Sequence, residues 1–497
     1  MQAMLDLEGL SLSAQLESFQ PVKGGYLVRG EQVAFLHPFG YTKFYRHGFH
    51  SWSLSCWLAL DTPLEPPVIS QLYPQFDHPA LLADYPYTGS GVGALEGLNG
   101  KILLLGALGL DGKIHADDQV LRASANPTPG KSTEWFLAYD EEQVVFVRYA
   151  ELLRERLGLP ESSHPWQMQP PRVWCSWYSV FTNISEELIM SVLAGLQGLD
   201  FDVFQLDDGW QASIGDWEAN PKFASGMPSL ARSIHKAGYT PGLWLAPLIV
   251  QPKSSVFRDH PDWLLRNRQG QAVPAGHNWS DFFYALDVTL PAVQDWLTEL
   301  IQKVVAWGFG YLKLDFLYAA ALPGVRHLDL PGEAAFRLGL EVIRKAATDA
   351  YLLVCGAPVL ASIGLADGMR IGPDVAPYWD NPERSQHLHD HTGPSTLNAI
   401  RTSLARLWLR PLVQIDPDVA FFRTRFNLLQ PQEMELLRTL VSITGFRATS
   451  DLPSWLDPGE RQALQGFLLR NPPIERLDRY RFTVDGQEID FGFVEKI

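Results

Sequence analysis

The chain has 497 residues, enough for two or three domains with substantial cores, and its acidic side chains outnumber the basic ones to give a formal net charge of −16. That balance excludes the basic footprint of a nucleic-acid binder, and no apolar stretch reaches membrane-spanning length. Three cysteines (Cys56, Cys175, Cys355) are too few for a disulfide framework and point to a reducing, cytoplasmic setting. Residues 1–8 carry acids and no basic or long apolar run, so no secretory signal is expected.

Residues 1–160 read as an N-terminal β-sandwich. Apolar and polar side chains alternate over 11–16 and 143–147, Gly and Pro are frequent, and 102–110 reads as a core strand. Gly89-x-Gly91-x-Gly93 mimics a phosphate loop, but its surroundings are those of a strand or turn. The segment Arg46 to Trp57, with Trp52 and Trp57 among polar residues, is too aromatic for a free loop. A Ser- and Pro-rich stretch over 160–171 reads as a linker.

Between 170 and 456 eight short apolar runs succeed one another, at 173–177, 203–207, 242–245, 311–315, 352–355, 368–371, 411–415 and 446–449. Helix signals separate most of them. Asn183 or Ser185 can cap the run beginning Glu186-Glu187, Pro291 opens an amphipathic stretch to Trp307, and an apolar stripe follows Pro331-Gly332. Eight such units predict a (β/α)8 TIM barrel; a doubly wound sheet would need a glycine-rich phosphate turn that no run supplies. The last segment, 457–497, reads as a small antiparallel β domain built on an Asp485-Gly486 hairpin, too short to fold alone and therefore packed on the barrel.

The chemistry is concentrated at the C-terminal end of each run. Trp177 and Tyr178, Asp207 and Asp208, Trp244, Lys313 and Asp315, Cys355, Arg370 and Asp374, Asp416 and Asp418, and Asp451 stand at strand exits, which converge on one mouth in a barrel. In the 311–315 run Lys313 and Asp315 are two residues apart and point to one side. Indole faces and carboxylates suit a sugar, whose C–H faces stack and whose hydroxyls need acceptors. The tight His387-Leu388-His389-Asp390-His391 spacing reads as a solvated loop rather than a metal site. A non-catalytic sugar-binding protein would not need two matched carboxylates.

Several segments resemble glycoside hydrolase family 36, the bacterial α-galactosidases of the melibiase clan: Trp174-Cys175-Ser176-Trp177-Tyr178, Leu206-Asp207-Asp208-Gly209-Trp210, Gly215-Asp216-Trp217, Gly242-Leu243-Trp244, His260-Pro261-Asp262-Trp263, Lys313-Leu314-Asp315 and Asp416-Pro417-Asp418. The resemblance implies a retaining exo-acting α-galactosidase acting on oligosaccharides such as melibiose and raffinose. It makes Asp315 the nucleophile and Asp374, beside Arg370, the acid/base. Asp207 and Asp208 become acceptors for galactose hydroxyls, with capping of a following helix as their structural alternative. Trp52, Trp177, Trp217, Trp244, Lys313, Cys355 and Arg370 are the other substrate-binding positions. No metal or organic cofactor is implied, and a homo-oligomer in which the Trp52 segment borders a neighbouring pocket is. The chain resembles compact members of the family, and its Cys355-Gly356-Ala357-Pro358 is stiffer than the usual glycine-rich stretch. α-N-acetylgalactosaminidase and a raffinose-synthase-type galactosyl transferase remain the enzymatic alternatives.

Overall fold

The computed structural model describes residues 1–496 apart from 8, 65, 67–75, 127–132, 160–168 and 381–389. Its centre is a curled sheet of eight parallel strands of the TIM-barrel type: β1 (Val173–Cys175), β2 (Val203–Leu206), β3 (Thr240–Leu245), β4 (Tyr311–Leu314), β5 (Tyr351–Val354), β6 (Gly368–Arg370), β7 (Gln414–Asp416) and β8 (Ala448–Thr449). They lie in the order β7-β6-β5-β4-β3-β2-β1-β8. The segment that follows β7 reaches β8, where Ala420 N donates to Ala448 O at 2.8 Å. Nearly all their side chains are buried, which is why they read as continuous apolar runs rather than alternating ones. The seventh run begins later than expected. Pro411 and Leu412 close a turn in which Leu412 N donates to Leu409 O at 2.8 Å, and the strand starts only at Gln414.

Helices form where the caps predict. Ser185 Oγ accepts from Leu188 N at 3.2 Å to open Glu186–Gly195, and Pro291–Ala306 and Gly332–Ala347 bury their apolar stripes. After β2, however, comes a hairpin, Gln211–Ser213 with Asp216–Ala219, so Asp207 and Asp208 have no adjoining helix to cap. No described helix is long and apolar enough to cross a membrane.

N-terminal to the barrel lie two antiparallel sheets of six and seven strands. Strand Lys101–Ala107 shows their logic: Leu103 and Leu105 face a cluster with Leu12, Phe35 and Trp135, while Ile102 and Leu104 join the core continuous with the barrel. Residues 143–147, expected as an alternating β run, are helical instead, within Glu142–Arg156. Val145, Phe146, Tyr149, Ala150 and Leu153 are buried, a helical spacing that emerges only when the window extends past 147. Near the C-terminus Ile474–Arg476, Arg481–Val484 and Gln487–Asp490 form a three-stranded sheet turning at Asp485 and Gly486, both with positive φ. It packs through Phe482, Phe491 and Val494 on Ile400 and Leu440. It also reaches the N-terminal sheets, where Arg479 lies 3.8 Å over the Trp57 ring.

Among the contacts that tie the N-terminal sheets to the barrel, two use buried ionisable side chains. Arg406, fully buried, donates to the carbonyls of Gly48 (3.1 Å), His50 (2.8 Å), Ser51 (2.5 Å), Ser53 (3.3 Å) and Ile371 (3.0 Å). Burial pulls its guanidinium down to about 10. Truncating Arg406 would strand buried carbonyls at about 1–3 kcal/mol each. The second contact is reciprocal: Asp111 N donates to Glu333 Oε2, and Glu333 N to Asp111 Oδ1 at 3.2 Å. Burial, with Asp111's charge added, pushes the Glu333 carboxyl up to about 8; burial pushes Asp111 up to about 6. A carboxyl raised by folding contributes stability below its unfolded pKa and loses it as pH rises through the folded value. Thermal unfolding should therefore give a Tm that falls as pH rises from the ordinary carboxylate range to about 8, with the share of Asp111 lost by about 6, and Glu333→Gln should flatten that fall; a Tm equally pH-dependent in both proteins would refute the assignment.

Candidate active site

A cavity of about 310 Å³ opens at the C-terminal ends of the strands, lined among others by Trp52, Trp177, Asp207, Asp208, Trp244, Lys313, Asp315 and Asp374. Asp315 follows β4 directly. Its Oδ2 accepts from Trp244 Nε1 at 2.9 Å and its Oδ1 from Phe316 N at 2.9 Å, so both oxygens are oriented by donors. Phe316 takes a left-handed φ of 55°, at a cost on the order of 1 kcal/mol, and the chain leaves the strand sharply.

Lys313 makes its ion pair with Asp207 rather than with Asp315, two residues on. Its Nζ bonds Asp207 Oδ2 at 2.8 Å. In a TIM barrel the inward side chains of alternate strands share a layer, which brings β4's lysine to β2's exit. Burial alone would strip the Lys313 proton, but the Asp207 carboxylate, with smaller help from Cys175 and Asp315, holds it well above the usual lysine range. Asp207 Oδ2 also accepts from Gln205 Nε2 (2.7 Å), and Oδ1 from Asp208 N (2.9 Å). Losing Lys313 alone would leave this buried carboxylate unpaired, at a cost of about 3–5 kcal/mol.

On the other side, Arg370 faces three carboxylates: Asp416 (3.0 Å), Asp418 (3.0 Å) and Asp374 (3.3 Å), and also donates to Tyr178 Oη (3.1 Å). In-register pairing of β6 and β7 sets Arg370 beside Asp416. One guanidinium cannot balance three carboxylates, two of them buried, so the cluster favours holding a proton. Burial, reinforced by Asp374 and Asp416, pushes Asp418 up to about 7. Asp374 lines the cavity and keeps 30% of its side-chain surface open. Burial there, with the Asp315 charge, lifts its carboxyl above the ordinary range against the pull of Arg370 and Lys313.

The cavity wall thus includes eight of the eleven expected site residues. The other three stand behind it. Trp217 backs Trp244 with ring centroids 6.0 Å apart, Cys355 is a buried free thiol kept neutral chiefly by burial, and Arg370 spends its donors on the acidic cluster. Trp52 lines the cavity of its own chain. Ala357 N donates to Ser51 Oγ (3.3 Å), and the Trp52 indole lies on Gly356, where an added Cβ would meet the ring at 3.0 Å. Trp57 is core, 3% exposed beside Tyr45. His387 and His389 lie outside the described residues, and among the described residues no group of three or more His, Cys, Asp or Glu could hold a metal.

The sequence reading missed the hairpin Pro274–Asn278 with Asp281–Ala285, which brings His277, Asn278 and Trp279 to the cavity. Its turn residues Trp279 and Ser280 have φ of 52° and 63°, a conformation for which Asn-Gly is the usual signal. The absence of glycine hid the turn; Asn278 and Asp281 beside it were the available hint.

An oriented carboxylate sharing a cavity with a second one lifted above the ordinary carboxylate range, between indole walls at a barrel mouth, is the equipment of a glycoside hydrolase. The sequence profile of the Melibiase family matches residues 134–351. The solved structure of TtGalA, an α-galactosidase from Thermus thermophilus, in complex with p-nitrophenyl α-D-galactopyranoside, is 47% identical over 99% of this chain and 100% of that one, with a TM-score of 0.92. Shorter matches reach α-galactosidase 1 of Pediococcus pentosaceus (28% identity over 41% of this chain) and α-galactosidase AgaA of Geobacillus stearothermophilus (31% over 34%). They span only 28% and 23% of those relatives' own lengths. The chain belongs to the melibiase family, glycoside hydrolase family 36.

Proposed function

We propose that this protein is a retaining, exo-acting α-galactosidase that removes terminal α-galactose from oligosaccharides such as melibiose and raffinose. The observation that carries the reading is the pair Asp315 and Asp374 on one cavity, the first fixed by N–H donors and the second raised above the ordinary carboxylate range. The near full-length similarity to an α-galactosidase holding an α-galactoside supports the substrate class.

In this reading Asp315 attacks the anomeric carbon while Asp374 protonates the departing glycosidic oxygen, giving a galactosyl ester of inverted configuration. Asp374, now a carboxylate, takes a proton from water as that water attacks the same carbon; the ester bond breaks, and galactose leaves with its original α configuration. Asp207 and Asp208 accept hydroxyls at O4 and O6, and an acceptor aimed at axial O4 would be left unpaired by glucose. Lys313 serves Asp207, and Trp52, Trp177 and Trp244 wall the sugar. The domain division proposed with this function is a sandwich over 1–160, the catalytic barrel over 170–456 and a small β domain over 457–497, in a cytoplasmic homo-oligomer.

NMR of the first-formed sugar from an aryl α-galactoside should detect the α-anomer; a β-anomer would rule out retention. Activity on aryl α-galactoside, with little on the α-glucoside or α-N-acetylgalactosaminide, is expected in a side-by-side assay. Binding of galactose without turnover of any of the three would favour a sugar-binding protein instead.

A further inference from the structure

We propose that Trp279 is a positioning residue for Asp208, so that the 274–285 hairpin, and not the barrel strands alone, fixes the acceptor for the sugar's hydroxyls. The inference rests on the reading of Asp208 as such an acceptor. Asp208 sits at the exit of β2, 3% exposed, and its two oxygens are held by two different hairpins. Gln211 Nε2 donates to Oδ1 at 2.6 Å, and Trp279 Nε1 donates to Oδ2 at 2.6 Å. One donor on each oxygen fixes the plane of the carboxylate and leaves acceptor capacity on both for a ligand.

The hairpin is built to deliver that N–H. Its turn carries two side-chain-bearing residues at positive φ, a conformation that persists only where the surroundings over-determine it. They do so here. Gln251 Nε2 donates to Asn278 O (3.1 Å), Tyr318 Oη to Ala275 O (2.6 Å), and Trp279 N to Asn278 Oδ1 (2.8 Å). The Trp279 ring is set against Phe316 (5.4 Å), Phe283 (5.7 Å) and Trp244 (6.3 Å). Phe316 follows Asp315, and Trp244 donates to it, so one indole touches the supports of the reacting carboxylate while bonding the acceptor. A phenylalanine would fill much of the same space and supply no N–H.

The test is a double-mutant cycle in the full chain with Trp279→Phe and Asp208→Asn, read as kcat/KM on an aryl α-galactoside with Tm as a fold control. Trp279→Phe should keep a Tm close to that of the parent and lose about tenfold in kcat/KM, the scale of one charge-assisted hydrogen bond. On the Asp208→Asn background it should cost less than about twofold, because the bond it removes is already weakened. Its pH profile should also move. Burial and the charges of Asp207 and Asp315 oppose ionisation of Asp208, Gln211 and Trp279 favour it, and Lys222 faces it. Without the indole N–H the acidic limb should shift to higher pH. A Trp279→Phe enzyme equal to the parent, or losses that multiply in the double variant, would overturn the inference while leaving the role of Asp208 intact. An Asp208→Asn enzyme with parental kcat/KM would overturn the acceptor reading itself, and the inference with it.

Discussion

Asp315→Ala should lose turnover of every α-galactoside, on the order of 10⁴-fold or more, the scale of removing a nucleophile that acts as part of a unit. The truncated side chain leaves a space beside C1 bordered by Trp244 Nε1, whose partner oxygen is gone. A small anion such as azide can enter it and attack in place of the carboxylate. The product should be a β-galactosyl azide, because a single displacement inverts the α configuration. NMR of the azide product checks both points. Near-parental activity in this variant, or an α-configured azide, would exclude Asp315 as the nucleophile.

Asp374→Ala should separate substrates by leaving group. Raffinose and melibiose need a proton on the departing oxygen, and a loss of about 10²–10⁴-fold is expected for them. Activated aryl galactosides leave with little help and should lose far less in the first step. The pH profile gives an independent sign. As the proposed acid Asp374 works protonated, and its carboxyl is held above the ordinary range mainly by burial, so parental activity should fall on the basic side as pH rises through its pKa. The variant should lack that basic limb. Equal losses across leaving groups would assign the acid elsewhere, with Asp418, pushed up to about 7 in the same cluster, the first residue to test.

Much of this architecture was legible in the chain because parallel strands buried on both faces leave unbroken apolar runs, with charges stacked at one end. Asp207, Asp315 and Asp374 could be picked out on that ground together with the family resemblance. Pairing between strands was not legible. Lys313 stands two residues from Asp315 in sequence, yet its ion partner is Asp207, 106 residues away. The apolar run over 143–147 resembled a strand because five residues cannot separate a period of two from one of 3.6 when valines are adjacent. The Trp279 hairpin escaped for a different reason: its turn adopts a glycine-type backbone without a glycine, tolerated because the surrounding carbonyl and ring contacts enforce it.

The clasp made by Arg406 has a consequence for how such a chain can be rearranged. The guanidinium is solvated by carbonyls from residues 48–53 and by Ile371 O, three residues before Asp374, and the clasped loop supplies Trp52 to the cavity. The catalytic mouth is therefore shared property of two modules. Recombination that replaced the N-terminal sheets with foreign ones would leave an arginine without its ligands and a pocket missing one side. The unit that can be inherited, grafted or shuffled intact is the N-terminal sheets and barrel together.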